Sequence, residues 1–86
     1  MKSFRIIDNS SNAYIKKSLV ELVGYSRVLI ENHLGIEAYS TTEIHVKVSY
    51  GVLCITGCNL CIMNLQRDQL IITGSIEMLK NIRRKP

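Results

Sequence analysis

Three cysteines lie close together in the stretch VLCITGCNLCIM, and cysteine thiolates are ligands for soft metals and iron–sulfur clusters. Cys54, Cys58 and Cys61 are the only cysteines of the chain, with the spacing C-x3-C-x2-C. Many radical S-adenosylmethionine enzymes hold an iron–sulfur cluster with this spacing. The stretch is therefore either a cluster site or a buried strand that contains cysteine.

Strand geometry favours the second interpretation. Positions four apart on a straight strand are separated by about 13 Å, so only a sharp turn at Gly57 would let the thiols converge on one cluster. Free cysteine is also among the most frequently buried residues. We therefore predict a structural, buried role for the cysteines, with reactive thiols as an alternative, and neither a metal nor a cofactor for the chain.

The remaining residues with catalytic potential form no recognisable constellation. His33 lies in the predicted turn NHLG and is interpreted as a solvent-exposed turn residue, because it has neither a second ligand nor a nucleophile at a useful spacing. His45 shares the polar face of a predicted strand with Lys47, which indicates a solvated face. The glycines are isolated and form no phosphate-binding loop. We predict no catalytic residues and no enzymatic activity.

The composition is typical of one small globular domain. The chain has 86 residues, of which 47% are apolar. No apolar run approaches the roughly 20 residues that span a bilayer, and the N-terminus shows no signal peptide. An odd cysteine count without a signal peptide favours a reducing compartment, which predicts a cytoplasmic protein.

The net charge of +4 is concentrated near the ends of the chain. The candidate basic tail contains Lys80, Arg83, Arg84 and Lys85. Such a cluster can bind nucleic acid or an anionic membrane surface, although a solubilising terminus is the preferred interpretation. With one Phe, four Tyr and no Trp, the chain is poorly suited to stacking on bases.

Short runs in which apolar and polar residues alternate predict an all-β fold. In EIHVKVS, Ile44, Val46 and Val48 occupy one face of a strand and the polar residues occupy the other. Similar runs predict strands at Leu19–Val23, Ser26–Glu31, Ile36–Tyr39, Glu43–Ser49, Val52–Thr56, Asn59–Asn64, Gln69–Thr73 and Ser75–Ile82. The polar stretches NHLG, SYG and QRD are predicted as the turns between them.

These strands define the predicted domain organisation. Residues 1–17 are an N-terminal arm, for which a partly helical and a disordered state both stay open. Residues 18–82 form a single all-β domain, and residues 83–86 form the basic C-terminal tail.

A five-residue pattern that recurs along the chain predicts glycine corners, which are glycines at which a strand changes direction. The pattern is apolar, variable, apolar, Val or Thr, then Gly, and it is present in VELVG, LCITG and LIITG. The segment IEAYS follows it with Ser in place of Gly. The last positions of these four segments recur about every 17 residues. A small antiparallel β-sandwich of about six to eight short strands fits best, with a short β-solenoid as the alternative.

Two thirds of the chain resembles the YabP/YqfC-like sporulation proteins, most closely the YqfC branch. The resemblance is carried by Ile30-Glu31-Asn32-His33-x-Gly35-Ile36, then Gly51-x-Leu53-x-Ile55-x-Gly57-x-x-Leu60-x-Ile62, then Ile72-x-Gly74-x-Ile76. The three cysteines are not part of this family pattern, which agrees with a structural role for them.

The resemblance implies a small, all-β, non-enzymatic protein of the mother cell that takes part in cortex and coat development. It also implies a partner protein, with a membrane sporulation protein as the natural expectation. We expect the candidate interaction turn, Glu31, Asn32, His33 and Gly35, or an exposed sheet edge to bind this partner. Contact with a membrane surface and homo-oligomerisation through sheet edges stay open. A small basic nucleic-acid-binding module is the alternative function.

Overall fold

In a computed structural model of the protein, residues 3–7 and 17–83 are described, and they are all-β. They form seven strands: β1 (Ser3–Ile7), β2 (Leu19–Val23), β3 (Arg27–Glu31), β4 (Gly35–Tyr39), β5 (Glu43–Val48), β6 (Gly51–Leu65) and β7 (Gln69–Ile82). The predicted fold class is confirmed.

The seven described strands form one continuous sheet in the order β1-β2-β3-β7-β6-β5-β4, and every neighbouring pair is antiparallel. Its centre is the long β6–β7 hairpin, with strands of 15 and 14 residues. β3 pairs with the first half of β7, and β5 pairs with the first half of β6. The alternative of a solenoid with one repeat per rung is therefore wrong, and a sandwich of two separate sheets is not confirmed.

Both halves of this sheet cover the same hydrophobic core. Val28 and Ile30 of β3 belong to one buried cluster with Ile44 and Val46 of β5, although β3 and β5 are not neighbours in the sheet. The halves also meet through serines, because the Ser18 N–H donates to Ser49 Oγ and the Ser49 N–H donates to Ser18 Oγ, both at 3.0 Å. The sheet therefore bends so that each half shields the apolar face of the other.

Two hairpin turns support the bend through backbone hydrogen bonds to the long hairpin. In the turn between β4 and β5, the Thr42 carbonyl accepts from the Gly57 N–H at 3.0 Å, and the Thr41 carbonyl accepts from the Leu60 N–H at 2.8 Å. In the turn between β2 and β3, the Ser26 and Tyr25 carbonyls accept from the N–H groups of Gly74 and Ile76, at 3.2 and 2.7 Å. These bonds satisfy amides that the irregular β6–β7 pairing leaves without a ladder partner.

The predicted glycine corners lie in two kinds of place. Gly24 and Ser40 lie at turns between strands, whereas Gly57 and Gly74 lie inside β6 and β7. A Cβ atom at Gly57 would lie 2.0 Å from the Ser75 carbonyl oxygen, so the close approach of two backbones requires glycine there. The glycines bend the strands without ending them, and four of the predicted short strands are therefore two long ones.

Two of the predicted turns lie where the polar stretches placed them. Ser49 and Tyr50 connect β5 and β6, and Val48 pairs with Gly51 across that turn. Gln66–Asp68 connects β6 and β7, with the Gln66 N–H donating to the Gln69 carbonyl at 2.8 Å.

The two ends of the chain are described only in part. Ser3–Ile7 of the predicted arm pair with β2, so the sheet begins before residue 18. The rest of the arm, residues 8–16, lies outside the described residues, as do Arg84 and Lys85 of the basic tail. Within the described part of the chain, no helix has the length and apolar character needed to cross a membrane.

Candidate interaction site

The candidate interaction turn connects β3 to the edge strand β4. Glu31 is the last residue of β3 and Gly35 is the first of β4. Asn32 has a φ of 59° and Gly35 a φ of 123°, values that favour Asn and Gly over other residues. The local sequence therefore explains the turn, as its Asn and Gly predicted.

Backbone and side-chain bonds of Asn32 fix the turn against two other segments. Its N–H donates to the Asp68 carbonyl at 2.6 Å, and its carbonyl accepts from Ser18 Oγ at 2.8 Å. Its side-chain Nδ2 donates to the Lys17 carbonyl at 2.9 Å. The turn is consequently held between the start of β2 and the loop that connects β6 to β7.

His33 adds a second contact with that loop. The Gly35 N–H donates to His33 Nδ1 at 3.1 Å, so Nδ1 is an acceptor and Nε2 carries the proton. Nε2 then donates to the Gln66 carbonyl at 2.8 Å. The interpretation of His33 as a solvent-exposed turn residue was wrong: the side chain is half-buried and both ring nitrogens are hydrogen-bonded. We assign it the structural role of joining two loops.

Substitutions at His33 should show how much each of its two hydrogen bonds contributes to the free energy of unfolding. Replacing it with Ala removes both, and we expect the free energy of unfolding to fall by about 1–2 kcal/mol. Asn keeps an acceptor near the position of Nδ1, and Gln keeps a donor near the position of Nε2. The free energy of unfolding should therefore fall about half as much in each of these two variants as in the Ala variant. Urea unfolding followed by circular dichroism measures the series. Equal losses for Asn, Gln and Ala would contradict the assignment.

The surface around the turn contains two hollows that share Asn32 and Asp68. One, of about 480 Å³, is lined by Asn32, His33, Leu34, Arg67 and Asp68. The other, of about 290 Å³, is lined by Glu31, Asn32, Gln66, Asp68 and Gln69. Leu34 projects beside them with 60% of its surface exposed. Arg67 and the exposed Leu34 suit contact with another protein, because interfaces are enriched in arginine and their centres are apolar.

Part of this surface is not indicated by the sequence. Arg67 and Asp68 were predicted only as loop residues, and Leu34 was not among the candidate interaction residues. The Asn32–Asp68 backbone bond brings these segments together across the sheet, and no local sequence signal indicates such a contact. The polarity of QRD predicted exposure of the loop, but it contained no information about the neighbours of that loop.

The edge strand β4 continues directly from the interaction turn. It pairs with β5 on one side, and within the described residues no strand lies on its other side. A register shift between Ile36 and Ala38 interrupts the pairing, and Tyr39 is 54% exposed. The Ser40 N–H donates to the Glu43 carbonyl in the direction of β5. Amides alternate in direction along a strand, so the Tyr39 amide points away from β5.

Two described lysines, Lys47 and Lys80, lie on the outward face of the same half of the sheet. Lys47 is in register with Val52 and, through it, with Ile82, while Lys80 is in register with Cys54. Lys80 and Arg83 are exposed, and Lys47, which the basic-tail prediction did not include, is exposed beside them. We name Lys47, Lys80 and Arg83 the basic group. Lys47 lies on β5, next to β4, and Lys80 lies on β7, two strands further away. None of the three residues lines the hollows at the turn.

Comparison with known proteins matches the described sheet to one family. The model of the YabP family matches residues 15–85, a range that contains β2 to β7. The chain belongs to the YabP family. It is also 25% identical over 63 residues to the uncharacterized protein YqfC of Bacillus subtilis (strain 168), covering 73% of this chain and 68% of that protein. The resemblance found in the sequence is confirmed, and the membership is consistent with a sporulation-related protein.

The cysteines of this YabP-family chain are more accessible than the sequence analysis predicted. Cys54 is half-buried, but Cys58 and Cys61 are exposed, so a buried role is wrong for these two. Over residues 17–83, no three His, Cys, Asp or Glu residues are grouped so that they could hold a metal ion. That the chain has no metal and no cofactor stays a prediction.

Proposed function

We propose that this YabP-family chain is a non-enzymatic sporulation protein that acts in the mother cell as a protein-interaction module during cortex and coat development. Family membership supports the link to sporulation. The interaction role rests on one structural observation. The open edge of β4 and the interaction turn adjoin each other and expose Leu34 and Tyr39 on either side.

A partner strand would use this edge through its backbone. An edge strand presents N–H and C=O groups that an incoming strand can pair with, while side-chain pockets select the sequence that binds. The register shift after Ile36 shortens the usable edge, which lowers the risk of indiscriminate pairing. Leu34 and Tyr39 would then supply apolar contacts at the two ends of the added strand.

The expected partner is a membrane protein produced at the same stage. The exposed basic group supports this part of the proposal, because an anionic leaflet attracts nearby basic residues by about 1 kcal/mol each. Because the basic group lies outside the hollows, it leaves the turn available for the protein partner. The chain would thus bind its partner next to the membrane surface from the cytoplasmic side.

Site-specific cross-linking in sporulating cells tests the proposal. A photoreactive benzoyl-phenylalanine replaces Leu34 in the full chain, and cross-linked products are recovered from the membrane fraction. Tyr25 is the matched control, since it is 80% exposed but lies at the opposite end of β3. We expect a discrete product with a membrane protein from position 34 only. No product, or the same products from both positions, would argue against this interface.

The basic group also makes the nucleic-acid alternative testable. Phosphate binding by basic residues weakens strongly as salt rises. A gel shift at low salt that disappears in a variant with Lys47 and Lys80 changed to Gln would support that alternative. We expect no shift for either protein.

A further inference from the structure

Cys58 and Cys61 lie on the same outward face of the sheet. Cys58 is in register with Ser75 and Cys61 with Thr73. Cross-strand partners point to the same face, and residues two apart on one strand also share a face. Both cysteines are exposed, in agreement with this placement. The two thiols are therefore neighbours on an accessible surface.

The bulge between them keeps the two cysteines close. Asn59 and Leu60 of β6 together lie opposite the single residue Gly74 of β7. Cys58 and Cys61 therefore span the distance of two residues along β7, about 6.6 Å, although three peptide steps separate them. Disulfides join residues whose Cα atoms are about 4.4–6.8 Å apart. The Cα separation of the pair lies near the upper end of that range, and bond formation also requires the two Cβ atoms to come within about 3.5–4.5 Å of each other.

The backbone of the bulge is held on both sides of Cys58. The Gly57 and Leu60 N–H groups donate to the Thr42 and Thr41 carbonyls, and Leu60 is only 1% exposed. Asn59 has a φ of 53°, which turns the chain between the two cysteines. Because these contacts already order the segment, little further conformational entropy is lost when the two sulfurs approach each other.

Cys54 does not belong to this pair. It is in register with Lys80, and it lies four residue steps before Cys58 on β6. Along a strand that is about 13 Å, well beyond disulfide range. The chain therefore contains its own control thiol, which is also half-buried.

We propose that Cys58 and Cys61 are a redox-active dithiol, oxidised reversibly to an intramolecular disulfide by a small disulfide such as glutathione disulfide. One cysteine thiolate attacks the glutathione disulfide, which gives a mixed disulfide and releases one glutathione thiolate. The second cysteine thiolate attacks the cysteine sulfur of that mixed disulfide and releases the second glutathione. The two cysteines lose two electrons and two protons, and two glutathione molecules are formed. This modification site does not depend on the proposed function.

The separation of the cysteines predicts a labile bond. Closing the pair at the upper end of the geometric range strains the disulfide, and strained or exposed disulfides are reduced more readily than structural ones. The disulfide should therefore form and break as the ratio of oxidised to reduced glutathione changes. Because bond formation requires the two Cβ atoms to approach each other, we expect a local backbone shift at the bulge, with the rest of the sheet the same in both states.

Mass spectrometry of the full chain in glutathione buffers tests the proposal. Free thiols are alkylated and the protein is cleaved after Lys47 and Arg67, so that one peptide contains all three cysteines. In the wild type we expect a Cys58–Cys61 bond, seen as the loss of two hydrogens, with Cys54 alkylated. The bond should be reversed by reduced glutathione.

Serine variants complete the experiment. C54S should behave as the wild type, whereas C61S should retain glutathione on Cys58 because no second thiol resolves the mixed disulfide. Circular dichroism shows that the variants are folded. Stable glutathione on both Cys58 and Cys61 of the wild type, or a disulfide that includes Cys54, would overturn the proposal.

Discussion

Replacing Gly57 with Ala is expected to lower the free energy of unfolding by about 3 kcal/mol, the upper end for overpacking a core. The added Cβ would lie 2.0 Å from the Ser75 carbonyl oxygen and 3.0 Å from its carbonyl carbon. Both atoms belong to the backbone of β7, so no side chain can rotate away to make room. The two central strands would have to separate where the Gly57 N–H bonds to Thr42. For a small domain this is a large part of the total stability.

Urea unfolding followed by circular dichroism measures this loss, with Cys58→Ala as the matched control. Cys58 is the next residue of the same strand and is exposed, so its substitution should change stability by no more than about 0.5 kcal/mol. If Gly57→Ala were as stable as the control, the β6 and β7 backbones would not approach each other as closely as the structure shows.

The short strands could be predicted from sequence because their signal is local. β2 has the bounds predicted from the alternation of Leu19–Val23, and the bounds predicted for β3 and β5 differ from the structure by one residue each. β6 and β7 were divided at their glycines because glycine usually weakens a strand. Cross-strand pairing continues past both glycines, and the turns between β2 and β3 and between β4 and β5 supply the missing backbone bonds. Hydrogen bonds from such distant segments cannot be predicted from the sequence around the glycines.

The sheet order could not be predicted for the same reason. β3 pairs with β7, whose first residue follows the end of β3 by more than thirty positions. The hydrophobic pattern shows which face of each strand is buried but not which strand lies beside it. The pattern that predicted a sandwich is therefore equally compatible with one sheet bent over a shared core.

The sequence predicted the candidate site as a turn, but it did not predict the contacts of that turn with another loop. Asn32 and Gly35 indicated the backbone conformation, and both have positive φ. The bond from His33 to the Gln66 carbonyl connects residues 33 positions apart, which the sequence around either residue does not indicate. The exposure of Cys58 and Cys61 was missed because the prediction rested on the frequent burial of free cysteine, whereas the bulge places both residues on the outward face.

Replacing Tyr39 with Pro should strongly reduce the cross-link from position 34 while leaving the protein folded. The Tyr39 amide points away from β5, so proline removes a donor that a partner strand would use and no bond within the sheet. Proline is tolerated on edge strands for this reason. Loss of one backbone bond, together with the steric bulk of the ring at the interface, should weaken binding at least about tenfold, which corresponds to 1.4 kcal/mol.

Tyr39→Ala separates the backbone contribution from that of the side chain. It removes the exposed aromatic ring, as proline does, but it retains the N–H group. If a partner strand pairs with β4, the yield of the Leu34 cross-link in sporulating cells, normalised to the amount of folded protein, should fall much further for proline than for alanine. Equal yields for the two variants would mean that the partner contacts side chains only. The edge of β4 would then not be the binding element, and the interaction turn with its two hollows would remain as the docking surface.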